Sequence, residues 1–147
     1  MITPGGNMKK ALILLLIAVL PLLSCGKKEV KKVTEESKTA QEAIALAEEI
    51  KEAYLKKDLA VIEKDTTKEG YIELLGARKS FDKAELAFSS KWIEIEKTAV
   101  SMKIAWSGKW VVGEQVSEER GTAIFIFEGS PLKLSRVLRA NPFRQPE

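Results

Sequence analysis

The 147 residues carry 31% charged and 45% hydrophobic side chains, the size of one ordinary domain and the composition of neither a disordered tail nor a polytopic membrane protein. Lysine and arginine total 24 against 21 acids, and the resulting charge of +3 is too slight for a nucleic-acid footprint. A single cysteine excludes an internal disulfide framework and a thiolate zinc cluster, and the absence of histidine removes the commonest general base and metal ligand. In chain order, residues 1 to 7 (Met-Ile-Thr-Pro-Gly-Gly-Asn) are neither basic nor apolar and suit neither an export signal nor a fold. Gly5-Gly6 is encodable as GGA-GGT, a bacterial ribosome-binding sequence, so Met8 is the expected start and residues 1 to 7 a mis-assigned leader.

Residues 8 to 24 have the three parts of an export signal: Lys9-Lys10, an unbroken apolar run from Ala11 to Leu23, and the small Ser24 before Cys25. The run is too short for the ~20 residues of a membrane-spanning helix, and Pro21 interrupts it near its end. Leu22-Leu23-Ser24-Cys25 resembles the lipobox of bacterial lipoproteins, whose cysteine receives diacylglycerol before cleavage. The resemblance implies a lipid on Cys25 and anchoring to a membrane of the cell envelope, with palmitate among the acyl chains; two or three chains suffice for stable attachment. By the same resemblance, Gly26 after the cysteine directs the protein to the periplasmic face of the outer membrane in a Gram-negative cell. In a Gram-positive cell it would occupy the outer face of the only membrane.

Residues 25 to 37 comprise Cys25 and a lysine- and glutamate-rich stretch with Val30 and Val33 as its apolar residues, a solvated tether reaching at most ~40 Å. One domain is expected over residues 38 to 140, with residues 141 to 147 as a tail. Thr39-Ala40-Gln41-Glu42 has capping-box spacing, and Ala43, Ala47, Ile50 and Tyr54 then form the stripe of an amphipathic helix. Asp58 can cap a short second helix carrying Leu59, Val61 and Ile62. Thr66-Thr67-Lys68-Glu69 opens a third, with Tyr71, Leu74 and Leu75 inward and Gly70 or Gly76 as its limit.

After Phe81 the period becomes alternating. Leu86 and Phe88 match one strand, Ile93 and Ile95 are out of phase with it, and a bulge or turn is expected across Ser89-Ser90. Val100, Met102, Ile104 and Trp106 form a half-buried strand, Ser107-Gly108 a turn or bulge, and Lys109 to Val116 the next strand. Residues 122 to 128 (Thr-Ala-Ile-Phe-Ile-Phe-Glu) are apolar on both faces and belong in a central or covered strand. Gly129-Ser130-Pro131 then turns the chain into Leu132, Leu134 and Leu138. Helices first and antiparallel strands after them define an α+β domain, with helices on one face of a sheet of four to five strands.

The order of elements, Tyr54-Leu55-Lys56-Lys57-Asp58-Leu59 between the first two helices, and the segment from Gly121 to Gly129 resemble the nuclear transport factor 2-like superfamily. Asn141-Pro142-Phe143 after the last strand resembles small bacterial lipoproteins carrying that fold. The resemblance implies a sheet curled into a cone whose open mouth binds an apolar ligand or a protein partner. Enzymes of that superfamily place an acidic or histidine base and tyrosine donors inside the cone. Fold alone confers none of these activities.

No phosphate-cradling glycine loop and no nucleophile elbow occurs in the sequence. Glu94 and Glu96 alternate with Ile93 and Ile95, which assigns them to a solvated face with Trp92 rather than to a buried base. Asp82 and Glu85 sit at a helix-to-strand boundary, where capping and solubility account for them. Lys133, Arg136, Arg139 and Arg144 read as a solvated strand face. Tyr54, Tyr71, Trp92, Trp106 and Trp110 are the candidate pocket residues, although a domain of this size needs its tryptophans first as core. No catalytic residue, metal site or cofactor is expected beyond the lipid on Cys25. The leading reading is a non-enzymatic, envelope-anchored module that binds a protein partner or a small apolar ligand, without nucleic acid. The alternatives are an isomerase- or dehydratase-type enzyme using a pocket carboxylate with Tyr54 or Tyr71, and a structural envelope lipoprotein.

Overall fold

A computed structural model describes residues 34 to 146. The expected leader and signal segment, Cys25 and most of the expected tether lie outside the described residues.

The first helix, α1 (Glu35–Lys56), begins earlier than the sequence suggests. Thr34 is its N-cap, accepting a hydrogen bond from the Ser37 amide at 3.1 Å, and Glu35 and Glu36 complement the helix dipole. Thr39, the expected cap, instead donates its hydroxyl to the Glu35 carbonyl at 3.0 Å inside the helix. The tether is therefore shorter than residues 25 to 37. Residues 34 to 37 supply the cap and first turn, which need no apolar contact once capped. Ala43, Leu46, Ala47, Ile50, Ala53 and Tyr54 form the buried stripe. Lys57 ends the helix at φ 60°, and the amides of Lys57 and Asp58 close on the Tyr54 and Ala53 carbonyls in a Schellman arrangement.

Asp58 caps α2 (Leu59–Asp65) through the Val61 amide, as its spacing predicts. The cap of α3 (Lys68–Ala77) is Thr67, one residue later than expected, because the Thr66 hydroxyl donates to the Ile62 carbonyl at 2.7 Å. Neither Gly70 nor Gly76 limits α3. Gly70 lets the helix lie directly on the Leu134 carbonyl, which also accepts from the Thr67 amide at 2.9 Å.

Four strands form an open antiparallel sheet in the order of the chain: β1 (Lys83–Ile95), β2 (Ala99–Val112), β3 (Gln115–Glu128) and β4 (Lys133–Arg139). The phase change in β1 is a bulge: Ser90 pairs with Ile104 and Trp92 with Lys103, so Lys91 has no partner. A second bulge lies in β4 at Ser135, whose hydroxyl donates to the Ile126 carbonyl at 3.1 Å. Bulges in two strands increase local twist and curve the sheet. Ser107-Gly108, expected to turn or bulge, lies within the unbroken β2. The reversal comes at Gly113-Glu114, where Gly113 has φ 59° and donates its amide to Asp82.

The pairing register places Val100, Met102, Ile104, Trp106 and Trp110 of β2 beside Phe127, Phe125, Ala123, Gly121 and Ser117 of β3 on the face toward the helices. β3 is covered by strands on both sides, as its run of apolar residues requires. After β4 the chain turns inward: Asn141 caps the 3-10 turn Pro142–Arg144 through the Phe143 amide at 2.9 Å, and Pro142 and Phe143 are fully buried.

Candidate functional site

Three of the five candidate residues come together inside the domain. Trp110 on β2 is fully buried, and its indole Nε1 donates to the Tyr54 hydroxyl of α1 at 3.1 Å. The Tyr54 hydroxyl in turn donates to the Gln145 carbonyl at 3.2 Å. Trp106 stands edge-on to Trp110, with ring centroids 6.3 Å apart, and its Nε1 donates to the Ala140 carbonyl at 2.8 Å. Burial pushes the Tyr54 phenol above its ordinary range, while the Trp110 hydrogen bond and the Arg78 charge partly oppose the shift. At neutral pH Tyr54 is therefore the neutral donor that its bond to Gln145 requires.

Glycines make this packing fit. A Cβ at Gly121, the register partner of Trp106, would lie 2.8 Å from the Trp106 ring and 2.9 Å from the Ala140 methyl. A Cβ at Gly108 would collide with the Trp110 ring. Each indole thus lies over a backbone with no side chain beneath it. These glycines are spacers inside strands, a role that their sequence neighbours do not signal.

Phe143 completes the interior. Its ring stacks on Phe125 at 5.9 Å and meets Tyr54 at 5.2 Å and Phe88 at 6.2 Å edge-on. The polar ends of Tyr54 and Trp106 are thus engaged by the Gln145 and Ala140 carbonyls, that of Trp110 by the Tyr54 hydroxyl, and the Phe125 ring of the sheet by Phe143. At one end, Trp110, Val112, Val116 and Pro146 line an open groove of about 600 Å³. Within the expected tail, Pro142 and Phe143 are therefore part of the core.

Tyr71 and Trp92 are elsewhere. Tyr71 packs partly buried against the core from α3. Trp92 pairs with Lys103 on the outer face of the sheet and is 46% exposed. Glu94 points to the same outer face, opposite Ser101, as alternation predicts. Glu96 lies just past β1, where its amide donates to the Ala99 carbonyl in the turn.

A buried carboxylate that sequence reading passed over is Asp65, at 5% exposure. It lies in a groove of about 490 Å³ lined by Glu42, Leu46, Glu49 and Leu132 among others. Its Oδ1 is 3.3 Å from the Lys64 ammonium, and its buried Oδ2 has no hydrogen-bond partner. Loss of solvent pushes this carboxyl up, against the pull of Lys64. Its place at the end of α2 gave no signal, because an acid before Thr66-Thr67 reads as a solvated helix end. Asp65 lines this groove without either tyrosine.

Among the described residues no group of three or more histidines, cysteines or acids could hold a metal ion, and no helix is long and apolar enough to cross a membrane.

No protein-family model and no curated protein matches the sequence. Solved structures do match the architecture. A nuclear transport factor 2-like superfamily protein from Salmonella enterica serovar Typhimurium aligns with TM-score 0.60 at 14% identity, over 76% of this chain and 96% of that one. The chain has the nuclear transport factor 2-like fold. A nuclear transport factor 2-like protein of unknown function from Shewanella oneidensis MR-1 aligns with TM-score 0.53 at 17% identity, over 67% of this chain and 95% of its own. At these identities the likeness is one of fold, and the site must be read from this chain's own residues. In this fold's terms, Tyr54, Trp106 and Trp110 face the interior of the curved sheet, and Pro142 and Phe143 pack into it.

Proposed function

We propose that the protein is a lipid-anchored binding or assembly module of the bacterial envelope, without catalytic activity, and that its partner is a protein rather than a small apolar ligand. The observation that carries this reading is the filled interior. A catalytic or small-ligand site in a cone needs an enclosed space with convergent polar groups. Here the three groups suited to that role bind main-chain carbonyls directly or through one another, and Phe143 occupies the aromatic floor. The lipobox-like Leu22-Leu23-Ser24-Cys25 supports the anchor, and the stretch that follows supports a domain held close to the membrane.

The test is made in intact cells of the source bacterium. The wild-type chain should incorporate labelled palmitate and crosslink into a discrete larger complex. Cys25→Ser should do neither. Palmitate labelling of Cys25→Ser at the wild-type level would remove the anchor, and a wild-type chain recovered as monomer alone would contradict the binding role.

A further inference from the structure

The segment after β4 is held differently from the rest of the core. Strands and helices join the core through their own ladders and stripes; Ala140 still continues the ladder, its amide donating to the Thr122 carbonyl at 3.2 Å, and beyond it the segment meets fixed side chains of other elements. Two of those side chains read main chain: the Trp106 indole binds the Ala140 carbonyl at 2.8 Å, and the Tyr54 hydroxyl binds the Gln145 carbonyl at 3.2 Å. Between these two points, Pro142 and Phe143 are buried while the Arg144 side chain is exposed. Phe143 sits in a nest made by Tyr54 of α1, Phe88 of β1 and Phe125 of β3, and each wall belongs to a different element.

Two donors to backbone carbonyls, one deep aromatic anchor and an outward residue beside it make the anatomy of a peptide-recognition site. Main-chain bonds fix the path of the segment, and a single pocket supplies selectivity. The site keeps its own shape. Trp110 orients the Tyr54 hydroxyl from behind at 3.1 Å, and Gly121 leaves room for Ala140 against the Trp106 ring. The entry to the segment is also defined, since Arg139 adopts φ 68° and turns the chain inward from the strand.

We propose that the cone interior is a binding site for a Pro-Phe peptide segment, that residues 140 to 146 occupy it within the chain, and that the same segment supplied separately can occupy it in their place. Selectivity resides at Phe143. The Arg144 position tolerates change because its side chain does not enter the site.

The test uses the full chain carrying Phe143→Ala and a fluorescently labelled peptide of residues 139 to 146, followed by anisotropy. The peptide should bind the variant saturably and the wild-type chain at least about tenfold more weakly, because the wild-type segment competes for the same place. The peptide with its own Phe143→Ala change should bind neither, and one with Arg144→Ala should bind as the parent does. Absence of binding to a folded Phe143→Ala chain, or equal binding to variant and wild type, would overturn the proposal. If Phe143→Ala does not fold, a full chain with a single engineered cleavage site replacing Arg139-Ala140 answers the same question. Cut after folding, its released segment should co-elute with the domain and exchange with labelled peptide. Immediate loss of the segment without uptake of the peptide would overturn the proposal as well.

Discussion

Trp106→Ala should lower the unfolding free energy by about 3 to 5 kcal/mol, the range for truncating a large buried aromatic. Three losses combine. The indole, 4% exposed, leaves a cavity above Gly121 that the flanking strands cannot close, since β2 and β3 are paired along their whole lengths. The part-buried Ala140 carbonyl loses its donor, which costs about 1 kcal/mol. The edge-to-face contact with Trp110 disappears as well. These terms overlap, because the cavity admits some movement and some water, so the cavity range rather than the sum is expected. The urea midpoint measures it. A loss below about 1 kcal/mol would show that Trp106 is not a core side chain.

Gly70→Ala should destabilise the domain by about 3 kcal/mol, although alanine is the better helix former. In a free helix the exchange gains about 1 kcal/mol. Here the new Cβ would overlap the Leu134 carbonyl oxygen and come within 3.2 Å of the Ser135 Cα. Both are backbone, so no side chain can rotate out of the way. The carbonyl also accepts the Thr67 amide and belongs to the short parallel bridge between Thr66 and Leu134. Moving α3 outward would break that bond and loosen β4, the upper end of overpacking effects. Gly76→Ala in the same helix is the control: nothing lies within 4 Å of its Cβ, and it should be neutral or stabilising by up to about 1 kcal/mol. Equal effects at the two positions would mean that helix propensity, not the contact with β4, governs both.

Periodicity made the helical stripe of Ala43, Ala47, Ile50 and Tyr54 and the alternation from Val100 to Trp106 readable, because both patterns follow from a single buried face. The change of phase between Phe88 and Ile93 was readable for the same reason, but it admitted a bulge or a turn across Ser89-Ser90, whereas both serines are paired and the unpaired residue is Lys91. Ends and spacers were not readable. Thr34 outcompetes Thr39 as a cap because exposed acids can form a first turn without apolar contacts, which a hydrophobic pattern does not register. Gly108 resembles a turn residue in the sequence, and only the position of the Trp110 ring shows that it is a spacer within a strand. The largest omission was the segment after β4. Asn141-Pro142-Phe143 lacks periodicity, and its burial depends on an aromatic nest assembled from three elements distant in sequence. The same dependence explains why Tyr54, Trp106 and Trp110 could be named together while their partners could not.

The direct test of a cone filled by its own chain is hydrogen exchange at the three tryptophan indoles, followed by NMR. Trp106 donates to the part-buried Ala140 carbonyl and Trp110 to the buried Tyr54 hydroxyl, whereas Trp92 lies 46% exposed on the outer face and serves as the internal reference. The indole protons of Trp106 and Trp110 should exchange at least about a hundredfold more slowly than that of Trp92, with the Phe143 amide protected alongside them. Exchange of Trp106 and Trp110 at the rate of Trp92, in a chain that is otherwise folded, would mean that the interior stands open to water and is free to take a ligand.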